Sequence, residues 1–307
     1  MPGQTEIDYR FPGKEGLLDP PVYIAGSDIK IVRAYDGRGI KKALFDLDGT
    51  LSTQRHGWVN LMVACNASAL AQAVDISPKE AEEWALGDIE ETVGLPTYTQ
   101  MRRLADEIRR REGEAKSPEH YKEVYVSALN NMVATRNKML QRGELKPDDL
   151  MVRGAGEFLK RMEERLGKGN LYLGSGTDIG PVLETVRLFG LGGFFGEEDI
   201  VAAGRTGGPE VCAKEMIIRK LIEEHGLQPG ELACFGDGFP EIIHGYRTAK
   251  GPAFGLVTPD GGNYEGSGRF TAEKKEGRLI SAGACAVFPD FSHSGILIDK
   301  VIFSRWP

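Results

Sequence analysis

Two carboxylates stand two residues apart in Phe45-Asp46-Leu47-Asp48-Gly49-Thr50-Leu51. The stretch before them, Ala43 to Phe45, is apolar in the manner of a short buried strand, and the Asp-Gly-Thr that follows is turn chemistry. Residues i and i+2 of a strand share a face, so at the strand's end both acids can look into one crevice. Open parallel sheets bind ligands at those carboxyl ends. Acids so placed can divide the work of phosphoryl transfer. Asp46 can attack phosphorus and form an aspartyl-phosphate; Asp48 can protonate the leaving oxygen and then activate water. Two anions repel an anionic substrate, so this chemistry asks for a divalent cation. Magnesium suits it, being a hard ion held by one or two carboxylates plus phosphate oxygens. The plain alternative is a strand ending in an acidic turn.

Three later stretches offer partners. Leu171-Tyr172-Leu173 reads as a strand running into Gly174-Ser175-Gly176-Thr177-Asp178. A hydroxyl between glycines at a strand end, ahead of a helix, suits an anion: backbone N–H groups and the helix N-terminus favour it, and Ser175 adds a donor. Gly174, Gly176 and Gly180 also mimic part of a dinucleotide fingerprint, but the third glycine comes one place late for Gly-x-Gly-x-x-Gly. Lys214 stands near the start of a long helix, where a cation can hold the nucleophile close to the phosphate and offset charge in the transition state. Lys220 is its rival, further from the helix start and so from the sheet's carboxyl edge. Leu232-Ala233-Cys234-Phe235 then runs into Gly236-Asp237-Gly238-Phe239-Pro240-Glu241. Asp237 can complete a metal site and Glu241 can support it from behind; otherwise Glu241 is an acid at a helix N-terminus.

The elements that must position these groups follow from periodicity. Val22 to Ala25 and Ile29 to Tyr35 read as strands of a hairpin, with Asp36-Gly37-Arg38-Gly39 turning into the strand at Ala43. From about Ser52 to Asp149 helical spacing takes over, with Ser77-Pro78 and Ser117-Pro118 as helix starts. From Gly154 onward strands and helices alternate, at Leu171, Ile200, Leu232, Ala253 and Ala286 for the strands. Such alternation predicts a parallel sheet with helices on both faces. The tail Ile296 to Trp306 alternates apolar and polar residues and is expected to add a last strand near the hairpin. The domains expected are therefore an extension over 1–40, an α/β core over 41–51 and 150–307, and a helical insert over 52–149 that sits over the sheet's carboxyl edge.

In order, the chain supplies a nucleophile pair, a hydroxyl, a lysine and an acid pair. This layout resembles the four motifs of the haloacid dehalogenase superfamily, most specifically at Phe45 to Leu51 and at Gly236 to Glu241. The resemblance implies a Rossmann-like, doubly wound parallel sheet with an inserted all-helical cap. The position of the insert, with Gly94-Leu95-Pro96 within it and Gly283-Ala284 near the end, is similar to the phosphoglycolate phosphatase and β-phosphoglucomutase branch. By that resemblance Asp46 is the nucleophile, Asp48 the acid and base, and magnesium is held by the side chains of Asp46 and Asp237 and the carbonyl of Asp48. Ser175, the Gly176 N–H and Lys214 hold the phosphoryl group, and Thr50 joins the phosphate-binding residues. Glu241 stands where the family usually has Asp. Asp48 favours phosphate esters over halides, whose departure needs no proton, and over phosphonates, whose enzymes depart from Asp-x-Asp there. The reaction expected is hydrolysis of a small phosphorylated metabolite, a sugar phosphate first among them. A phosphomutase is the alternative, and a non-catalytic binding protein on the same fold a further one. Arg55, His56 and Trp58 follow the first motif and are candidates for contact with the substrate, Arg55 for a second anionic group, His56 for a hydroxyl and Trp58 for a ring or sugar face.

Composition sets the outer bounds. The chain has 307 residues and a formal net charge of −7, which disfavours nucleic acid as a partner, since that binding rests on neutralising phosphates. Cys65, Cys212, Cys234 and Cys285 are scattered without metal-ligand spacing and read as reduced thiols. No apolar run approaches the ~18 residues of a membrane span, and the N-terminus lacks a signal layout, so a cytoplasmic protein is expected. Its oligomeric state is not legible.

Overall fold

The structure is a computed structural model and describes residues 12–13, 15–203, 213–259 and 270–307. In chain order, four strands come first: β1 (Leu17–Tyr23), β2 (Lys30–Arg33), β3 (Tyr35–Asp36) and β4 (Lys42–Asp46). Four helices follow, α1 (Trp58–Ala73), α2 (Pro78–Thr92), α3 (Thr97–Arg110) and α4 (Pro118–Gln141). Then come α5 (Ala155–Leu166), β5 (Leu171–Asp178), α6 (Ile179–Leu188), β6 (Ile200–Ala203), α7 (Ala213–His225), β7 (Leu232–Gly236), α8 (Phe239–Arg247), β8 (Ala253–Leu256), α9 (Ala272–Ala282), β9 (Ala286–Phe288) and β10 (Arg305–Trp306).

The chain divides into two compact units. One holds the described residues up to Thr53, then Pro147–Thr258 and Lys275–Pro307. Its eight-stranded sheet has the order β1-β2-β9-β8-β7-β4-β5-β6. The six strands from β9 to β6 are parallel; β2 joins β9, and β1 joins β2, in antiparallel fashion. This is a doubly wound α/β sheet, with the hairpin β1–β2 extending it at one edge. From β4 the chain winds outward through β5 and β6, then returns to the other side of β4 for β7, β8 and β9. The carboxyl end of β4 is therefore the topological switch point, where such sheets open a crevice.

Each face of the central strands has its own filling. Phe45, Phe235 and Phe254 stand side by side on β4, β7 and β8, with successive rings stacked at 4.7 and 4.9 Å. Phe158 of α5 meets Phe45 and Phe235 edge-on and covers that face. One residue off in register, Leu44, Tyr172 and Cys234 face the other way and pack with Ile217, Ile218 and Leu221 of α7. Burying each such side chain contributes about 1.5–3 kcal/mol. The alternation also decides chemistry, because Asp46 shares its face with Leu44 and so looks toward α7.

The second unit holds Gln54–Lys146 together with residues 270–274. Helices α1 to α4 close around Val59, Met62, Leu104, Ile108 and Tyr125, with Phe270 added from the later segment. Ser77 and Ser117 cap α2 and α4, accepting from the N–H groups of Glu80 and His120, each ahead of a proline at the first helical position. The sheet unit breaks off after Thr53 and resumes at Pro147, and within it Ser52 and Met151 form a β-bridge.

Two expectations are corrected. The tail is mainly helical, from Ser294–Ile296 into a π-helical stretch Leu297–Ile302, and only Arg305–Trp306 pairs as a strand, with β3. The buried residues Leu297, Ile298, Val301 and Ile302 recur one, four and five places on, a helical period that the β-branched run disguised. Strand β5 runs on to Asp178 instead of stopping near Leu173, because β6 pairs along it through a register shift between Ser175 and Asp178. The long helix that carries Lys214 is expected from about Pro209; its part before Ala213, with Cys212, and residues 260–269 lie outside the described residues.

Candidate active site

The site is built on the turn that ends β4. Leu47 accepts from the N–H groups of Leu51 and Ser52 at 2.9 and 2.8 Å, which curls Asp46 to Ser52 into a tight loop. Gly49 sits at φ +81°, and a Cβ there would lie 2.1 Å from Asp237 Oδ2. Glycine is thus required twice over, for backbone conformation and for the close approach of the first acid loop to the second.

Asp46 is buried, and its carboxylate is ion-paired with the Lys214 ammonium. The pairing follows from the packing beneath it. Ile217 and Ile218 of α7 pack with Leu44. Two residues further along β4 advance about 6.6 Å, and three to four residues back along α7 retreat about 5 Å. That geometry brings Lys214 to Asp46. The lysine also donates to the Gly174 carbonyl at 2.9 Å and pairs with Glu241 Oε1 at 2.7 Å. It is therefore shared by three segments, β4, β5 and α8. Lys220, the rival, pairs with Glu224 on the helix surface.

The second acid loop folds back on its own helix. A Cβ at Gly236 would stand 2.6 Å from the Cβ of Glu241, so the absence of a side chain there lets Glu241 lie against the end of β7. The longer arm of glutamate reaches Lys214, and its other oxygen, Oε2, is buried without a hydrogen-bond partner. Asp237 accepts from Lys275 Nζ at 2.7 Å.

Asp48 is half-buried and accepts from the Thr177 hydroxyl at 3.2 Å. The Thr177 N–H in turn donates to Ser175 Oγ at 3.1 Å, so one short turn carries both the candidate phosphate-binding serine and the group that orients the candidate acid. Gly176 is exposed, and a methyl group there would meet nothing within 4 Å. Thr50 is fully buried, and its hydroxyl has no hydrogen-bond partner. Arg55, His56 and Trp58 belong to the helical unit. There the His56 carbonyl accepts from Arg136 at 2.9 Å and Trp58 packs against the unit's apolar core.

Electrostatics at β4 are unbalanced toward negative charge. Burial pushes the Asp46 pKa well above the usual carboxylate range; Lys214 opposes this, while Glu241 and Asp237 add to it. Burial alone would lower the Lys214 pKa, but Asp46 and Glu241 outweigh it and hold the ammonium charged. A group of three or more converging His, Cys, Asp or Glu ligands is absent among the described residues. A site of two carboxylates and a carbonyl needs no such cluster. The mutual repulsion of Asp46, Asp237 and Glu241 and the unpartnered Glu241 oxygen are what a further cation would relieve, so the donor set fits a hard divalent ion.

Three residues escaped sequence reasoning. Lys275 is buried and bridges Asp237 to the Thr258 hydroxyl, which lies 3.0 Å from its ammonium. Thr258 donates in turn to the Gly49 carbonyl at 2.8 Å. Thr177 was visible in its motif but had no assigned partner; Thr258 and Lys275 carry no local signal and are brought in by the fold alone.

Comparison with known proteins agrees on family. The family model for haloacid dehalogenase-like hydrolases matches residues 40–244. Among solved structures, a phosphonoacetaldehyde hydrolase-like protein from Oleispira antarctica matches with a TM-score of 0.55 at 15% identity, covering 90% of this chain and 98% of that one. A hydrolase from Pseudomonas syringae matches with a TM-score of 0.51 at 19% identity, covering 85% and 97%. A candidate β-phosphoglucomutase from Thermotoga maritima matches with a TM-score of 0.50 at 17% identity, covering 85% and 100%. At these identities the likeness is one of fold. None of the curated proteins matches the sequence.

Proposed function

The chain belongs to the haloacid dehalogenase-like hydrolases, and from that premise we propose that it is a magnesium-dependent phosphatase of small phosphorylated metabolites, working through an aspartyl-phosphate on Asp46. The observation that carries the reading is the buried Asp46 held by Lys214, with a second acid, Asp48, two residues on and oriented by Thr177.

The residues divide the reaction as follows. Asp46 attacks the phosphorus, forming an acyl phosphate as the ester P–O bond breaks. Asp48, in its acid form, gives its proton to the departing alkoxide oxygen. As carboxylate it then takes a proton from the water that attacks the acyl phosphate. Inorganic phosphate leaves and the Asp46 carboxylate is restored. Lys214 fixes the nucleophile's orientation and lends positive charge to the transferring group, and Glu241 holds the lysine there. Ser175 and the Gly176 N–H offer donors for the phosphoryl oxygens. Asp46, Asp237 and the Asp48 carbonyl are the groups that would hold magnesium, which supplies charge neutralisation between carboxylates and phosphate. Asp48 separates this reading from dehalogenation, since a halide needs no proton on leaving.

A panel of phosphate monoesters, led by sugar phosphates and scored for inorganic phosphate with magnesium or with EDTA, tests the proposal. Release that EDTA abolishes and that Asp46→Asn lacks is the expected result. Isomerisation of a sugar phosphate without release would make the protein a phosphomutase instead. The absence of turnover on every ester would overturn the hydrolase reading.

A further inference from the structure

Lys275 is a buried cation at the carboxyl edge that the proposed reaction leaves without a task. It lies on α9, directly after the segment 270–274 that belongs to the helical unit. Its side chain is 4% exposed, and its ammonium donates to Asp237 Oδ2 at 2.7 Å and to Thr258 Oγ1 at 3.0 Å. Thr258 donates onward to the Gly49 carbonyl at 2.8 Å. The buried cation of α9 thus ties together the loops after β7 and β8, and through Thr258 the loop after β4.

A lysine side chain loses rotamer freedom on burial, and its ammonium gives up strong hydration. Here the cost is met by Asp237, the same carboxylate that the proposed function assigns to the metal. Gly49 packs against that carboxylate so closely that a methyl group would clash with Oδ2, so the room around it is already small. An ammonium on Oδ2 and a divalent ion on the same carboxylate are like charges a few ångströms apart, and each weakens the carboxylate's hold on the other.

From this geometry we propose, resting on the reading of Asp237 as a metal ligand, that Lys275 is a built-in competitor for the divalent cation. Its ammonium holds Asp237 before the ion arrives and must yield Oδ2 as the ion binds. Thr258 is the pivot: it keeps the released ammonium tied to the Gly49 loop. The apparent metal affinity is then reduced by the fraction of molecules in which Lys275 occupies Asp237. The lysine is a positioning residue that sets the metal concentration at which the site fills.

The test is calorimetric titration of magnesium chloride into the metal-free full-length protein, in the wild type and in Lys275→Met, Lys275→Arg and Asp237→Asn. The expected result is a Kd at least about threefold lower in Lys275→Met, within about twofold of wild type in Lys275→Arg, which keeps the charge, and no binding in Asp237→Asn. An unchanged or weaker affinity in Lys275→Met, alongside binding that Asp237→Asn removes, overturns the competition and leaves the metal site standing. No magnesium binding by the wild type overturns both. If Lys275→Met fails to fold, acylation of wild-type lysines followed by mass spectrometry replaces it. Magnesium should then speed the labelling of Lys275 relative to Lys214, and labelling that magnesium leaves unchanged overturns the proposal.

Discussion

The two edges of the sheet are made by the same strands and treat charge in opposite ways. At the amino edge, Lys41, Lys42, Arg165, His225 and Glu231 line an open pocket of about 460 Å³. Lys41 pairs with Glu231 at 2.5 Å with 64% of its side chain exposed, and Lys42 is satisfied by Asn170 at 2.9 Å and Tyr172 at 2.8 Å. At the carboxyl edge, four residues along β4 from Lys42, Asp46, Lys214, Glu241 and Lys275 each keep no more than 10% of their side chains exposed. Water carries the charges at one edge. At the other they must carry one another, with acids whose repulsion Lys214 does not fully offset. Burying ion pairs seldom stabilises a fold relative to apolar packing. The proposed reaction would account for buried charges that packing alone does not ask for.

The largest contrast is in turnover. Asp46→Asn removes the oxygen that the proposed reaction uses for attack and should lower phosphate release by at least about 10³-fold. Lys42→Met, at the other end of the same strand, should leave it within about twofold. Phosphate-release kinetics on the best ester of the panel measures both. A comparable loss from the two substitutions would erase the distinction between the edges.

A second contrast is in stability. Lys214→Met strips the cation from Asp46 and Glu241 inside the protein, and breaking a buried pair in this way costs about 3 kcal/mol or more. Lys41→Ala removes a pair whose lysine is mostly in water, and under about 1 kcal/mol is expected. Urea titration of both variants checks the difference. If Lys214→Met proves as stable as the wild type, the carboxyl edge stores no such cost.

How much of this was legible in the sequence depended on whether a group's position is fixed locally. Asp46 and Asp48 were legible because a strand end and a turn fix their spacing within seven residues. Asp237 and Glu241 were legible for the same reason. Lys214 needed one inference, that the start of a helix following a strand faces the sheet's carboxyl edge, and α7 packed on Leu44 bears that placement. Lys275 and Thr258 were not legible. Their partners lie 38 and 209 positions away, and nothing in Ala272-Glu273-Lys274-Lys275-Glu276 distinguishes a buried lysine from the solvated one beside it. The tail failed for another reason: its β-branched residues look like a strand, while the burial of Leu297, Ile298, Val301 and Ile302 keeps helical time. Composition suggested the element and period decided it.

The smallest effect sharpens the comparison through acid titration. His244 of α8 is buried three residues from Glu241, and burial holds its pKa below the usual 6.5, against the pull of Glu215 and Glu241 toward the charged form. The unfolded chain accepts a proton there near pH 6.5, while the folded chain resists until the pH is lower. Protonation therefore favours the unfolded chain, and stability drains away as the pH falls below about 6.5. His244→Gln has no such proton to take up, so its urea midpoint should fall less than that of the wild type between pH 7 and pH 5. Parallel declines would mean that the acids of the carboxyl edge alone set the sensitivity. A flatter decline in the variant would show that the edge extends its charge burden into the helix behind it.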